Sequence, residues 1–288
     1  MKKSNKLIFT ATYNEVDNIE VLINGILKSS PESDILVVDD GSPDGTGHQI
    51  KLLKKQFKNI YLVERGGKRG IGSAHSFAMI YAILNNYDYL VTMDADLSHD
   101  PIFIPKLLSE LEQSDGESID FIIGSRYILG GGCEYVGYRK LLSAGGNWLS
   151  RLMTRINLHE FTTSYRAIRV SSISDTNLSW VSNQGYSYFL EVIVKLHRSG
   201  KKLSELPIFF YNRSKGYSKI PKLEIFRAIR KLLLLSASLL FNIKENIQIK
   251  AYKGSCINCG NIYLYKTTKN SPKAVCVKYG CLICNCVF

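Results

Sequence analysis

Short apolar runs that end in polar or acidic residues, each separated from the next by helical spacing, constrain this chain more than any other feature. The runs are Lys6–Thr12, Asp34–Asp40, Ile60–Glu64 and Tyr89–Met93. Between them, Val16–Lys28 places Ile19, Leu22, Ile23 and Ile26 on one face. The turn Gly41–Gly45 leads to Thr46 as a helix start, and Ser73–Leu84 continues the alternation. Strands alternating with helices of about 12 residues imply right-handed βαβ units and a mostly parallel sheet, so the expected class is α/β. Further along, Phe121–Gly124 predicts a strand, Val136–Ile156 and Tyr186–Arg198 predict helices, and Lys202–Tyr211 alternates like a strand.

Ligands of open α/β sheets gather at the carboxyl ends of the strands. Four groups of residues fall there. They are Thr12, Tyr13 and Glu15; Asp39 and Asp40; Lys68 in the loop Gly66–Gly72; and Asp94, Ala95 and Asp96. Residues i and i+2 of an extended segment project the same way, so Asp94 and Asp96 can hold one Mg²⁺ or Mn²⁺ that bridges nucleotide phosphates. Such an Asp-x-Asp pair is the metal signature of nucleotide-sugar transferases. An aromatic ring and a carboxylate can hold a base and ribose, and Lys68 offsets diphosphate charge. Taken singly, Asp39 and Asp40 could cap a helix and Lys68 could be a solvated loop lysine. Their order at successive strand ends favours a nucleotide site. The Gly66–Gly72 loop is not a P-loop, because it lacks the Gly-Lys-Ser/Thr ending.

At 288 residues the chain can bury one large core with a small appendix. Its net charge of +12 is concentrated at one end. Residues 213–231 carry seven basic side chains and one acidic, and residues 244–288 carry seven Lys and one Glu. This excess is suited to anionic lipid, acceptor phosphate or nucleic acid. No signal peptide is expected, since Leu7–Thr12 is too short for an apolar targeting core. No apolar run reaches the roughly 20 residues needed to span a bilayer. Residues 221–243 instead pair a basic first half with Leu223, Phe226, Ile229 and Leu232–Leu235, the pattern of an amphipathic helix lying in a membrane interface. Packing on the sheet or on a membrane partner subunit is the competing expectation. Six of the seven cysteines lie between 256 and 286. Cys256-x-x-Cys259 and Cys281-x-x-Cys284 have the spacing of a structural Zn²⁺ ribbon, with acylated or unpaired cysteines as the alternative. Cys133 is expected to be inert.

The motifs Thr-Tyr-Asn-Glu, Val-Val-Asp-Asp-Gly-Ser-Pro-Asp-Gly-Thr, Arg-x-x-Lys-x-Gly-Ile-Gly-x-Ala, Met-Asp-Ala-Asp-Leu-Ser-His-Asp-Pro and Gly-Ser-Arg-Tyr resemble the dolichol-phosphate (polyprenyl-phosphate) mannosyltransferase family. These are inverting enzymes of glycosyltransferase family 2 with a GT-A fold. The similarity runs from about residue 6 to residue 220 and includes Glu191, Glu205-Leu-Pro-Ile208 and Arg213-x-x-Gly-x-Ser-Lys219. It implies a GT-A domain over residues 1–220; the amphipathic helix 221–243 and the Cys-rich tail 244–288 are read from their own residues, and such a tail is foreign to the family pattern. The resemblance further implies that Asp94 and Asp96 bind the metal with Ser98 near its shell, and that Tyr13, Glu15, Asp40 and Lys68 contact the nucleotide. Arg126, Arg139 and Ser143 would hold the lipid phosphate, while Arg213 and Lys219 would clamp donor and acceptor phosphates. Three departures bear on local geometry and sugar preference. Ala11 replaces a Pro, Glu160 replaces an Asp, and Ser164 replaces a permissive Gly.

The implied reaction moves mannose from GDP-mannose to a dolichyl or polyprenyl phosphate at the cytosolic face of a membrane (the endoplasmic reticulum in a eukaryotic setting). A phosphate monoester is largely dianionic at neutral pH, so it needs positioning and charge relief rather than a dedicated base. A related transferase using UDP-glucose or another nucleotide sugar with a polyprenyl phosphate acceptor is the same-class alternative, and a non-catalytic lipid- or nucleic-acid-binding protein is the alternative of another class. A binding module has no need for both Asp94/Asp96 and Arg213/Lys219, and nucleic acid is the less expected partner. Truncation after Ile243 is expected to leave transfer to a short, soluble acceptor largely intact. A collapse of that activity would make the tail part of the catalytic fold.

Overall fold

A computed structural model describes residues 4–112, 118–174, 187–213, 230, 232–234, 236–237, 254–255 and 262–263. Lys219, most of the segment 221–243 and the tail cysteines Cys256, Cys259, Cys281 and Cys284 lie outside these residues.

The first half follows the sequence expectation closely. Strands β1 (Lys6–Thr12), β2 (Asp34–Asp39), β3 (Ile60–Glu64) and β4 (Tyr89–Asp94) alternate with helices α1 (Val16–Ser29), α2 (Thr46–Gln56) and α3 (Ile71–Leu84). All adjacent pairs among these four strands are parallel. β2 is buried at every position, as a strand covered on both faces must be. Alternate residues feed two layers. Leu7, Phe9, Leu36 and Val38 pack with Ala74, Ala78 and Ala82 of α3, while Ile8, Ile35 and Val37 pack with Ile19, Leu22 and Ile26 of α1.

The second half departs from simple βαβ winding. After α4 (Ile104–Glu112) come β5 (Phe121–Ser125), the short β6 (Gly132–Cys133) and α5 (Tyr138–Thr154). Strand β7 (Arg166–Arg169), helices α6 (Val170–Ser174) and α7 (Ser187–Arg198), and strands β8 (Leu203–Pro207) and β9 (Phe209–Phe210) complete this region. The sheet order is β3-β2-β1-β4-β7-β5-β8. β7 is inserted antiparallel between β4 and β5, and β5 pairs in parallel with β8. The single expected strand over 202–211 is two strands, because the chain leaves β5 after Pro207 and pairs Phe209–Phe210 with β6.

Arg166 explains how a charged residue heads an interior strand. Its guanidinium is buried and donates to three backbone carbonyls: Nε to Thr163 at 2.8 Å, Nη1 to Phe189 at 3.0 Å and Nη2 to Phe161 at 3.0 Å. The same group lies over the rings of Phe189 and Phe121. It therefore ties the 161–163 loop and α7 to the sheet. Of the segment expected to form an interfacial helix, Arg230, Leu232–Leu234 and Ser236–Ala237 are helical. Leu232 joins the core beside α3 and α7, whereas Leu233 and Leu234 are exposed. Replacing Arg166 by Met is expected to cost on the order of 2 kcal/mol by removing the donor of the non-helical Phe161 and Thr163 carbonyls. Urea unfolding of Arg166→Met against the parent measures this, and an unchanged midpoint would remove Arg166 as the clamp.

Candidate active site

The strand ends fall into near-perfect register. Ala11 stands opposite both Val38 and Asp94, and Thr12 stands opposite Asp39. Beyond them, side chains lace the loops together. The buried Thr12 hydroxyl donates to Asp39 Oδ1 at 2.7 Å, and Asp39 also accepts from the Ser42 amide and hydroxyl. Ser42 Oγ accepts the Asn14 amide, and Thr46 Oγ1 accepts that of Glu15. Asp39 is thus committed to building the loop. Its neighbour Asp40 accepts the Arg69 amide at 3.1 Å and pairs with the buried Arg65. Burial pushes the Asp40 carboxyl up, and Arg65 works against that shift. Gly41 makes this junction possible. Its φ is +71°, and a Cβ there would lie 3.0 Å from the Arg65 carbonyl oxygen. Lys68 is exposed and stands 4.8 Å over the half-buried Tyr13 ring, with Glu15 beside it in sequence. Thr12, Tyr13, Glu15, Asp39, Asp40 and Lys68 therefore line one corner.

The Asp-x-Asp pair is arranged differently from the simple strand projection. β4 ends at Asp94, and Ala95 to Ser98 form a turn in which Leu97 takes a left-handed φ of 64°. Asp96 points back because its Oδ1 accepts both the amide and the hydroxyl of Ser98, at 3.1 and 2.5 Å. Its Oδ2 pairs with Arg213 Nε at 2.7 Å. Asp94 Oδ1 accepts the Ser164 hydroxyl at 2.6 Å. Burial raises the Asp94 pKa and Asp96 raises it further, against the opposing pull of His99, Ser164 and Arg213. His99 itself has its pKa lowered by burial. So Arg213, which follows the last strand, pairs with one of two neighbouring carboxylates.

A third cluster gathers on the other side of β7. Arg126 follows β5 and is held bidentately by Glu160, Nε to Oε2 at 2.7 Å and Nη2 to Oε1 at 2.8 Å. It also donates to the Tyr135 and Thr162 hydroxyls. This is a buried pair, not a surface one: the two side chains are 8% and 0% exposed. Burial opposes both charges, but each group stabilises the other, so the Glu160 pKa is lowered and that of Arg126 is raised. Glu205 of β8 delivers Glu160 by accepting the backbone amides of His159 and Glu160, each at 2.9 Å. Ser143 on α5 accepts the Tyr127 hydroxyl at 2.7 Å, and Arg139 lies over the Tyr135 ring. Arg126, Arg139 and Ser143 therefore converge, with Tyr135 at their centre. Phe210 joins this cluster to the carboxylates, since it packs on both Arg126 and His99.

Glu160 enters the sequence expectation only as a departure from a motif, and Tyr135 does not enter it at all. Partners 34 and 9 residues from Arg126 leave no local spacing to read. Arg65 and His99 lie inside the quoted motifs without an assigned role. Cys133 is half-buried, with its thiol 3.7 Å from the Tyr135 carbonyl oxygen.

Known proteins with similar sequences and folds place the chain among its relatives. The chain is 34% identical over 215 residues to an undecaprenyl-phosphate mannosyltransferase of Micrococcus luteus, covering 74% of this chain and 86% of that one. It is 33% identical over 228 residues to a polyprenol monophosphomannose synthase of Mycolicibacterium smegmatis, covering 78% and 84%. The fold resembles glucosyl-3-phosphoglycerate synthase from Mycobacterium tuberculosis, solved with Mn²⁺, UDP-glucose and phosphoglyceric acid. The TM-score is 0.59 at 17% identity, over 91% of this chain and 87% of that one. That likeness establishes the GT-A architecture expected from the sequence. The profile of glycosyl transferase family 2 matches residues 7–177, and with the register of strand ends, the paired aspartates and these relatives, the chain belongs to that family.

Proposed function

We propose that this chain transfers mannose from GDP-mannose to a polyprenyl phosphate, with inversion at the anomeric carbon, at the cytosolic face of a membrane. The observation that carries the proposal is the meeting of two oppositely charged clusters through Phe210 and the 160–164 loop. One is the Asp94–Asp96 turn with Arg213, and the other is the Arg126–Arg139–Ser143 group. The relatives of known name support mannose and a polyprenyl phosphate as the substrates.

The carboxylate pair fits a hard divalent cation. Both groups are hard oxygen donors standing one residue apart at the end of β4. Among the described residues no group of three or more His, Cys, Asp or Glu comes together, so Asp94 and Asp96 are the two carboxylates that would hold the ion. Bound to Asp94 and Asp96, Mg²⁺ or Mn²⁺ would neutralise the charge that develops on the departing diphosphate. Tyr13 and Asp40 hold the base and ribose, and Lys68 leaves the Tyr13 ring for the diphosphate. Arg126 donates its remaining N–H to the acceptor phosphate, and Arg139 and Ser143 complete the cradle. The carboxylate beside Arg126 is bound to it through both oxygens, so it serves to orient the guanidinium and not to accept a proton. A phosphate oxygen then attacks C1 of mannose as the bond from C1 to the diphosphate oxygen breaks. The nucleoside diphosphate leaves with that electron pair.

Helix α5 supports a membrane-facing acceptor. Tyr138, Leu141, Trp148 and Leu152 share one face, with Leu141 73% and Trp148 65% exposed, and the exposed Arg139 and Lys140 stand beside it. No helix among the described residues is long and apolar enough to cross a bilayer.

Two measurements test this function. With Mn²⁺, a short polyprenyl phosphate and a panel of labelled nucleotide sugars, label is expected in the lipid phase from GDP-mannose alone. The Asp96→Ala variant is expected to lose at least 100-fold in rate. Label from UDP-glucose, or near-full rate in Asp96→Ala, would overturn the donor or the metal assignment respectively. The double variant Leu141→Glu, Trp148→Glu is expected to lose sedimentation with anionic vesicles, and retained binding would remove α5 as the membrane contact.

A further inference from the structure

His99 is fully buried immediately after the carboxylate turn, yet it is neither a ligand in waiting nor simple packing. Its Nδ1 accepts the backbone N–H of Asp94 at 3.0 Å. The one lone pair of that nitrogen is thereby used, so the ring proton resides on Nε2, 3.2 Å from Thr163 Oγ1. Thr163 Oγ1 in turn accepts the Tyr165 amide at 3.2 Å. The imidazole faces Tyr165 at 4.9 Å and the edge of Phe210 at 5.2 Å. The backbone is tied to the same neighbour: His99 bridges Phe210, and the Tyr211 amide donates to the Ser98 carbonyl at 3.0 Å. Three chain segments therefore meet on one side chain. They are the turn bearing Asp94 and Asp96, the loop bearing Glu160 and Ser164, and the segment that ends in Arg213.

We propose that His99 is a positioning residue that sets the register of these three segments, through the acceptor lone pair of Nδ1 and the donor N–H of Nε2. This rests on the reading of Asp94 and Asp96 as the metal-holding pair. Asp94 Oδ2 lies 3.9 Å from Nδ1, beyond hydrogen-bond reach, so the ring governs the main chain of Asp94 and leaves its carboxylate outward. With both ring nitrogens committed, His99 has no lone pair for a metal. Phenylalanine would fill the same space between Tyr165 and Phe210 but would strand the Asp94 N–H. Asparagine presents an oxygen near the Nδ1 position, while glutamine carries its polar end on to the Nε2 position.

The test is Mn²⁺ binding in the presence of GDP, followed by electron paramagnetic resonance on the full-length protein. His99→Phe and His99→Gln are expected to weaken Mn²⁺ binding roughly tenfold or more, the scale at which residues orienting metal ligands act. His99→Asn is expected to stay within about threefold of the parent. Asp96→Asn separates the two levels of inference. If Asp96→Asn binds Mn²⁺ like the parent, the metal reading fails and this proposal with it. If Asp96→Asn loses Mn²⁺ while His99→Gln binds as tightly as His99→Asn, the metal reading stands and the role of His99 is overturned. The comparison of Gln with Asn holds even where the Phe variant does not fold.

Discussion

Two neighbouring carboxylates at the end of β4 set the terms for everything around them. A buried charge is tolerated only when it is paired or hydrogen-bonded. Asp96 meets this with Ser98 and Arg213, and Asp94 with Ser164, while its main chain is held by His99. The left-handed turn at Leu97 brings Ser98 back onto Asp96. Such an arrangement needs residues from the far side of the sheet. The binding corner is thus completed by the 160–164 loop and by Arg213, both from the second half of the chain.

The antiparallel strand β7 makes that completion possible. It reverses the chain direction between β4 and β5, so the loop before it returns to the same end of the sheet as the carboxylates. Arg166 fastens the loop through two carbonyls and α7 through a third, and Glu205 fastens the start of the loop through two amides. Glu160 is then delivered to Arg126 in fixed geometry. The substitution of Glu for the shorter Asp of the related motif is accommodated here by a fork-to-fork pair with the arginine.

The parallel half of the fold is legible because strands covered on both faces read as continuous apolar runs, as in Leu36–Val38. The corner lined by Thr12, Tyr13, Asp39, Asp40 and Lys68 follows from the same logic, since polar residues gather where those runs stop. β7 is hidden because its four residues include two arginines, and the groups that satisfy Arg166 lie up to 23 residues away. Helix α4 is missing from the sequence expectation although Ile104, Leu107, Leu108 and Leu111 keep helical spacing and are all buried. The cluster around Tyr135 is legible in its members Arg126, Arg139 and Ser143 but not in its wiring. The Glu160, Tyr135 and Phe210 contacts are long-range and leave no periodic trace.

The sheet order also bears on how the chain is made. Residues through β4 leave the ribosome as a contiguous parallel unit, while the strand that covers its open side, β7, is synthesised well afterwards. In that interval the free N–H and C=O groups of β4 stand beside Leu90 and Val91, side chains destined for complete burial. An unpaired apolar border of this kind is a template for other chains. Slow translation between β4 and β7 would lengthen that exposure, so the border stays open to other chains until residue 169 has emerged.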